Sequence, residues 1–223
     1  MASHTEENYL KSLYVLGNYE NAVNLKELSA MLNVRLPTAN SMMKNLKKQG
    51  LVDFERYKPI SLTDKGKKIA ANVIRNHRLT EMFLVEKMGF GWEEVHDIAE
   101  QVEHINSRVF FERMDELLGH PKFDPHGSPI PDKSGHVSME YKLRLSDCNA
   151  GEKVRLVALS NDSSEFLKFL DKNDLNLGTD IEIKSLELFD NSMVVSYKNY
   201  NLQMFSKVVC DYLLVQKLSE KLE

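Results

Sequence analysis

The chain of 223 residues is expected to form an α+β protein, helical as far as Leu118 and built of short strands beyond Met139. Three observations predict this. Apolar residues recur at helical spacing through the first half, in YLKSLYVL and IAANVIRNHRLTEMFLV, whereas later they come in short runs, KVRLVALS, DIEIKSLEL and NSMVVSYK. Residues 119–138, GHPKFDPHGSPIPDKSGHVS, hold four of the six prolines and three of the ten glycines, which marks a connection. Charge divides as well: residues 1–76 carry 12 Lys and Arg against 7 Asp and Glu, the remainder 17 against 26. A basic segment on an acidic body points to a polyanion for the first and to cations for the second.

Taken in order, TEENYLKSLYVL puts Tyr9, Leu10, Leu13 and Leu16 on one stripe of a helix opened by Thr5, with acids in its first turn. Leu25, Leu28, Met31 and Leu32 form a short amphipathic helix. After a break at Asn33–Leu36, Pro37 sits in a first turn, and Ala39, Met42, Met43 and Leu46 carry the pattern to a stop at Gly50. VDFERYKPISLT reads as two strands around Tyr57–Pro59, so the unit is a winged helix-turn-helix. Its second helix exposes Arg35, Thr38, Asn40, Ser41, Lys44, Lys47 and Lys48. In such a unit Arg35, Pro37, Thr38, Asn40 and Ser41 face base edges, while Lys44, Lys47 and the wing residues Arg56, Tyr57 and Lys58 meet phosphates. The expected partner is double-stranded DNA.

A long helix follows from Thr63 or Asp64 to just before Gly89, carrying His77 and Glu81 at i, i+4. Trp92–Leu118 is expected to be a second long helix. Its apolar Ile98, Val102, Ile105, Val109 and Leu117 need a surface to pack on, which a homodimer supplies. Past the connection, the strands EYKLRL, KVRLVALS, DIEIKSLEL and NSMVVSYK, with the helix SSEFLKFLDKN after the second, suggest a small open barrel.

Composition excludes several classes. No apolar run approaches a membrane span, and MASHTEENYL lacks the basic-then-apolar pattern of a secretion signal, so a cytoplasmic location is expected. Cys148 and Cys210 have no CxxC spacing and are expected to be packed core thiols. There is no HExxH, nucleophile elbow, phosphate-binding glycine loop or repeated Glu-x-x-His, so no enzyme is expected.

The stretch HDIAEQVEH, 96–104, places His96, Glu100, Glu103 and His104 within an arc of roughly 100° on a helix. No Lys or Arg of this stretch neutralises the carboxylates, and imidazole with carboxylate is the donor set of a divalent first-row metal.

In order and motif the chain resembles the diphtheria-toxin-repressor family of metal-dependent transcriptional regulators, including its manganese-sensing branch. The motifs are NYLKSLY, RNHRLTEMFL at 75–84, VHDIAEQVEH at 95–104 and HGSPIP at 126–131. The resemblance implies a homodimeric repressor of metal-homeostasis genes that reads a palindromic operator with Mn(II) or Fe(II) as cofactor; a winged-helix regulator sensing a non-metal ligand is the alternative. It implies residues 1–73 as the DNA-binding domain, 74–138 as a helical dimerisation and metal-binding domain with linker, and 139–223 as an SH3-like, FeoA-type barrel. Glu100, Glu103 and His104 would form a primary metal site with position 8. The family has methionine or aspartate there and this chain has Asn8, so either the amide oxygen coordinates, Glu7 substitutes, or the site is weaker. Glutamate at position 100, where iron-preferring members carry cysteine, leaves an oxygen-rich set that favours manganese. His77, Glu81 and His96 would build a second site, with Asp124 and His126 of the linker and Asp162 or Glu165 of the barrel. Asp162 is read equally well as a helix N-cap.

Overall fold

The computed structural model describes residues 2–18, 21–137 and 142–218, and these divide into two compact units. The first takes in the chain to Met88, His96–Lys122 and the segment from Pro129 to residue 137; the second takes Gly89–Val95, Phe123–Ser128 and the β-rich C-terminal part.

In the first unit α1 spans His4–Leu16. Its cap is Ser3, not Thr5: the Ser3 hydroxyl accepts from Glu6 N, and the Glu6 carboxylate accepts from Ser3 N, so two otherwise unpaired amides are satisfied reciprocally. Tyr9, Leu10 and Leu13 are buried as the stripe requires, whereas Leu16 is exposed in the last turn. Helices α2 (Leu25–Met31) and α3 (Leu36–Lys48) are joined by a turn at Asn33, whose positive φ an asparagine tolerates. Met31, assigned to the apolar face, is half exposed. Strands β1 (Val52–Asp53) and β2 (Ser61–Leu62) pair antiparallel as the wing, and a Val23–Ile60 bridge fastens it to the chain ahead of α2. Leu10, Leu28, Ala39, Met43, Leu46 and Ile74 close one core.

Helix α4 runs Asp64–Met88. The expected single helix Trp92–Leu118 is two: α5, His96–Val102, and α6, Arg108–Leu117. Ser107 explains the break, for its extended backbone and its hydroxyl, which accepts from Phe110 N at 3.3 Å, begin a new helix where the old one would have continued. Glu103 and His104 therefore lie in a turn just past α5. Leu79, Phe111, Met114 and Ile130 form a second, small core, while α6 leaves Val109, Phe110 and Leu117 exposed.

The second unit is a six-stranded antiparallel sheet of order β3-β8-β4-β5-β6-β7. Its strands are β3 (Leu143–Arg144), β4 (Lys153–Leu159), β5 (Asp180–Leu186), β6 (Met193–Tyr197), β7 (Tyr200–Phe205) and β8 (Leu213–Lys217). Helix α7 (Ser164–Lys172) lies between β4 and β5 in sequence, and α8 (Lys207–Tyr212) precedes β8. Val154, Leu156 and Ala158 alternate inward on β4, as do Ile181 and Ile183 on β5, and α7 adds Phe166, Leu167 and Leu170. The sequence reading missed β7, α8 and β8; the first part of its strand EYKLRL lies outside the described residues. Gly127 has φ +80°, and a Cβ there would strike Val157 O and Ala158, so this linker glycine lets the chain run against the backbone of β4.

Candidate metal centre

The centre is assembled from three helices of the first unit. Over α4, a polar run interrupts the apolar stripe: Asn76, His77, Thr80 and Glu81 are all buried. His77 stands between carboxylates, its Nδ1 2.5 Å from Glu103 Oε2 and its Nε2 3.0 Å from Glu81 Oε1. Asn76 donates to the backbone carbonyl of Glu103 at 3.1 Å and so pins the turn after α5. His96 Nδ1 lies 3.4 Å from Glu81 Oε1, and its Nε2 3.7 Å from Glu100 Oε1. Donor atoms of His77, His96 and Glu100 fall within 4.8 Å of one another. From α1, the Glu7 carboxylate meets His104 Nδ1 at 2.6 Å, the ring of His4 stacks on that of His104, and His104 Nε2 lies 3.5 Å from Glu103 Oε1.

Burial alone would lower the His77 pKa, but the Glu103 and Glu81 carboxylates beside it hold it up to about 9. Glu100 shows the converse: burial raises it, and the Lys11 ammonium outweighs that and keeps it below the ordinary carboxylate value. Lys11 is the residue that sequence reasoning missed. The stretch 96–104 holds no cation, but the fold brings one from α1, with Lys11 Nζ 2.5 Å from Glu100 Oε1 and 2.7 Å from Glu103 Oε2. A signal existed, since Lys11 follows Glu7 by four residues and shares its helix face.

The residues fit a hard divalent cation. Asn8 Oδ1 and Glu103 Oε1 are buried without a hydrogen bond, a costly condition unless something else satisfies them. The candidate donors are imidazole, carboxylate and amide oxygen, while both cysteines are buried in the second unit. Within the second unit, the candidate ligands Asp124 and His126 have local partners. Asp124 accepts from the backbone amides of His126 and Ser128 at 2.8 and 2.9 Å, and His126 Nε2 lies 3.0 Å from Trp92 O. Asp162 and Glu165 are exposed; Asp162 is not the cap of α7, a position Ser163 takes.

On the other side of α1, Glu6 Oε1 accepts from Asn45 Nδ2 at 2.8 Å and from Gln49 Nε2 at 2.5 Å, tying α1 to the last turn of α3. Arg35, Pro37, Thr38, Ser41 and Lys44 are exposed along α3, with Asn40 half-buried. Lys47 is exposed too, but its ammonium donates to Phe54 O at 2.8 Å, so it braces the wing as well as carrying charge. Tyr57 stands at the wing tip with the Arg56 guanidinium over its ring.

A winged helix-turn-helix and a buried cluster of histidines and carboxylates within one compact unit define a DNA-binding regulator governed by a metal ion. Comparison with known proteins gives the same class. Residues 1–60 match the family described as iron dependent repressor, N-terminal DNA binding domain; residues 63–132 match its metal binding and dimerisation domain; residues 143–217 match the FeoA domain. The iron-dependent repressor IdeR of Mycobacterium tuberculosis is 34% identical over 164 residues, 69% of this chain and 70% of that protein. The diphtheria toxin repressor of Corynebacterium diphtheriae is 28% identical over 191 residues, 80% of this chain and 84% of the other. Among solved structures, a manganese-dependent transcriptional repressor in complex with manganese superposes with a TM-score of 0.87 at 29% identity, covering 96% of this chain and all of that one. ScaR with bound zinc gives 0.81 at 32%, covering 96% of this chain and 99% of that one. The chain belongs to the diphtheria toxin repressor family of metal-dependent regulators and carries that family's DNA-binding domain and its metal binding and dimerisation domain. Among the described residues no helix is long and apolar enough to cross a membrane.

Proposed function

We propose that this chain is a cytoplasmic, manganese-responsive repressor of metal-homeostasis genes, working through the segments 1–73, 74–138 and 139–223, and that its regulating ion is held by Asn8 and Glu7 of α1 with Glu100, Glu103 and His104, and by His77, Glu81 and His96. The observation that carries this reading is the pair of buried, unbonded oxygens, Asn8 Oδ1 and Glu103 Oε1, beside a set of imidazoles and carboxylates. Asp124, His126, Asp162 and Glu165 are retained as candidate ligands on the family resemblance alone. The oxygen-rich set, with glutamate at position 100 and no thiolate, favours Mn(II) over softer ions.

A bound divalent cation supplies charge to neutralise the carboxylates and bonds that hold α1 against α4 and α5. The chain's own residues carry that restraint to the DNA. Glu7 meets His104 of the centre, while Glu6, roughly 100° away around the same helix, holds Asn45 and Gln49 at the end of α3. Fixing α1 therefore fixes the recognition helix. In a dimer joined through the apolar face of α6, two such helices must lie about 34 Å apart, or a multiple of it, to read a palindrome. Metal acts by its greater affinity for that aligned state.

The test is operator affinity by fluorescence anisotropy, on a duplex obtained by in vitro selection, in chelator and in excess Mn(II). Affinity should rise strongly with Mn(II). Equal affinities under the two conditions would overturn the reading.

A further inference from the structure

The ammonium of Lys11 sits on two of the carboxylates proposed as metal ligands. It lies 2.5 Å from Glu100 Oε1 and 2.7 Å from Glu103 Oε2, and 3.3 Å from His77 Nδ1. The Glu103 side chain is fully buried and that of Lys11 only 17% exposed, so their contact is a desolvated, charge-assisted one, whereas the Glu100 side chain is 37% exposed. Glu103 Oε2 is also the oxygen that faces His77 Nδ1 at 2.5 Å. One carboxylate oxygen thus already serves a lysine and a histidine.

We propose that Lys11 is a tethered counter-cation of the metal centre: it bridges α1 to the Glu100–Glu103 segment, competes with the divalent ion for the charge of the same two carboxylates, and withdraws when that ion enters. This rests on the metal-centre reading above. The physical basis is exclusion. Two cations cannot share the Glu100 and Glu103 carboxylates without lying close enough to repel one another strongly in a partly buried site. Lysine suits the role, because a compact ammonium on a flexible four-carbon stem can leave for water at the cost of contacts that hydration largely restores. Two consequences follow for the chain. The carboxylates are never left buried and uncompensated, and the metal concentration that activates the repressor is set higher than the ligands alone would set it.

The first measurement is calorimetric titration of the parent protein with Mn(II); no binding there would overturn the metal-centre reading and this inference with it. Given binding by the parent, Lys11→Met, which keeps the stem and removes the charge, should tighten Mn(II) at least about tenfold, about 1.4 kcal/mol, and should lower the melting temperature measured in chelator. Unchanged or weaker Mn(II) affinity in Lys11→Met overturns the role of Lys11 while leaving the metal centre standing. A second measurement needs no variant. Brief acetylation of the intact parent, read by peptide mass spectrometry against the exposed Lys65 as internal standard, should label Lys11 several-fold faster in saturating Mn(II) than in chelator. Equal or slower labelling with Mn(II) means that the ammonium stays in place and refutes displacement.

Discussion

Replacing Glu6 by alanine separates the joint between α1 and the recognition helix from the metal centre itself. The Glu6 carboxylate takes hydrogen bonds from Ser3 N at 2.8 Å, Asn45 Nδ2 at 2.8 Å and Gln49 Nε2 at 2.5 Å. Bonds to a charged acceptor contribute about 1.5–3 kcal/mol each, but the three donors are exposed and rehydrate, so about 1 kcal/mol apiece is the better figure. The loss is then about 3 kcal/mol, and at about 2–4 °C per kcal/mol for a chain of this size the melting temperature should fall by about 6–12 °C. Operator affinity in saturating Mn(II) should drop as well, because α3 is no longer fastened to the helix that carries Glu7 and Asn8. Differential scanning fluorimetry and anisotropy read the two effects. The sign of the pH dependence gives a further check: the Ser3 amide, opposed by burial and aided by Gln49 and Asn45, holds the Glu6 pKa below its ordinary 4.5. Its contribution is therefore complete above pH 4.5 and is lost as pH falls through the lowered value. The difference in melting temperature between parent and Glu6→Gln should be constant above pH 4.5 and shrink below it. If Glu6→Ala melts with the parent and binds operator equally well, the α1–α3 joint is not the route of coupling.

Asn8→Asp should tighten Mn(II) binding and lower the Mn(II) concentration needed for operator binding, since an anionic oxygen replaces a neutral amide; identical calorimetric isotherms would remove Asn8 from the coordination shell. Lys44→Ala should flatten the log–log salt dependence of operator binding by about 1.8 per dimer, two phosphate contacts at about 0.9 each, whereas Thr38→Ala or Ser41→Ala should change sequence preference; an unaltered salt slope would take Lys44 off the DNA. Gly127→Ala combines a strained φ with a collision against Val157 O and Ala158, and should destabilise the second unit by about 1–3 kcal/mol, measured by urea denaturation; parental stability would show that the linker shifts freely. Burial pushes the Cys210 thiol up to about 12, so iodoacetamide should leave it unmodified in the native protein at neutral pH and alkylate it only in denaturant; rapid native alkylation counts against its place in the barrel core.

Local chemistry was legible in the sequence because it repeats at the period of the element that carries it. Helical spacing gave α1 to α4, proline and glycine marked the connection, and alternation identified β4, β5 and β6. The histidines and carboxylates of 96–104 raised the expectation of a metal by their kind alone. The break between α5 and α6 was hidden, since an apolar stripe runs through it and one serine hydroxyl decides it. Strand β7 was equally hidden: of YNLQMF only Phe205 is buried, and an edge strand pairs through its backbone, which leaves little trace in side-chain pattern. What tertiary structure alone decided is which charges meet. Glu6 and Asn45 are 39 residues apart and Lys11 and Glu103 are 92 apart, and no spacing rule reaches so far. Electrostatic contact depends on distance in space, and the packing of α1 against α4 is what brings a lysine from the start of the chain onto the carboxylates that the sequence showed without a counter-charge.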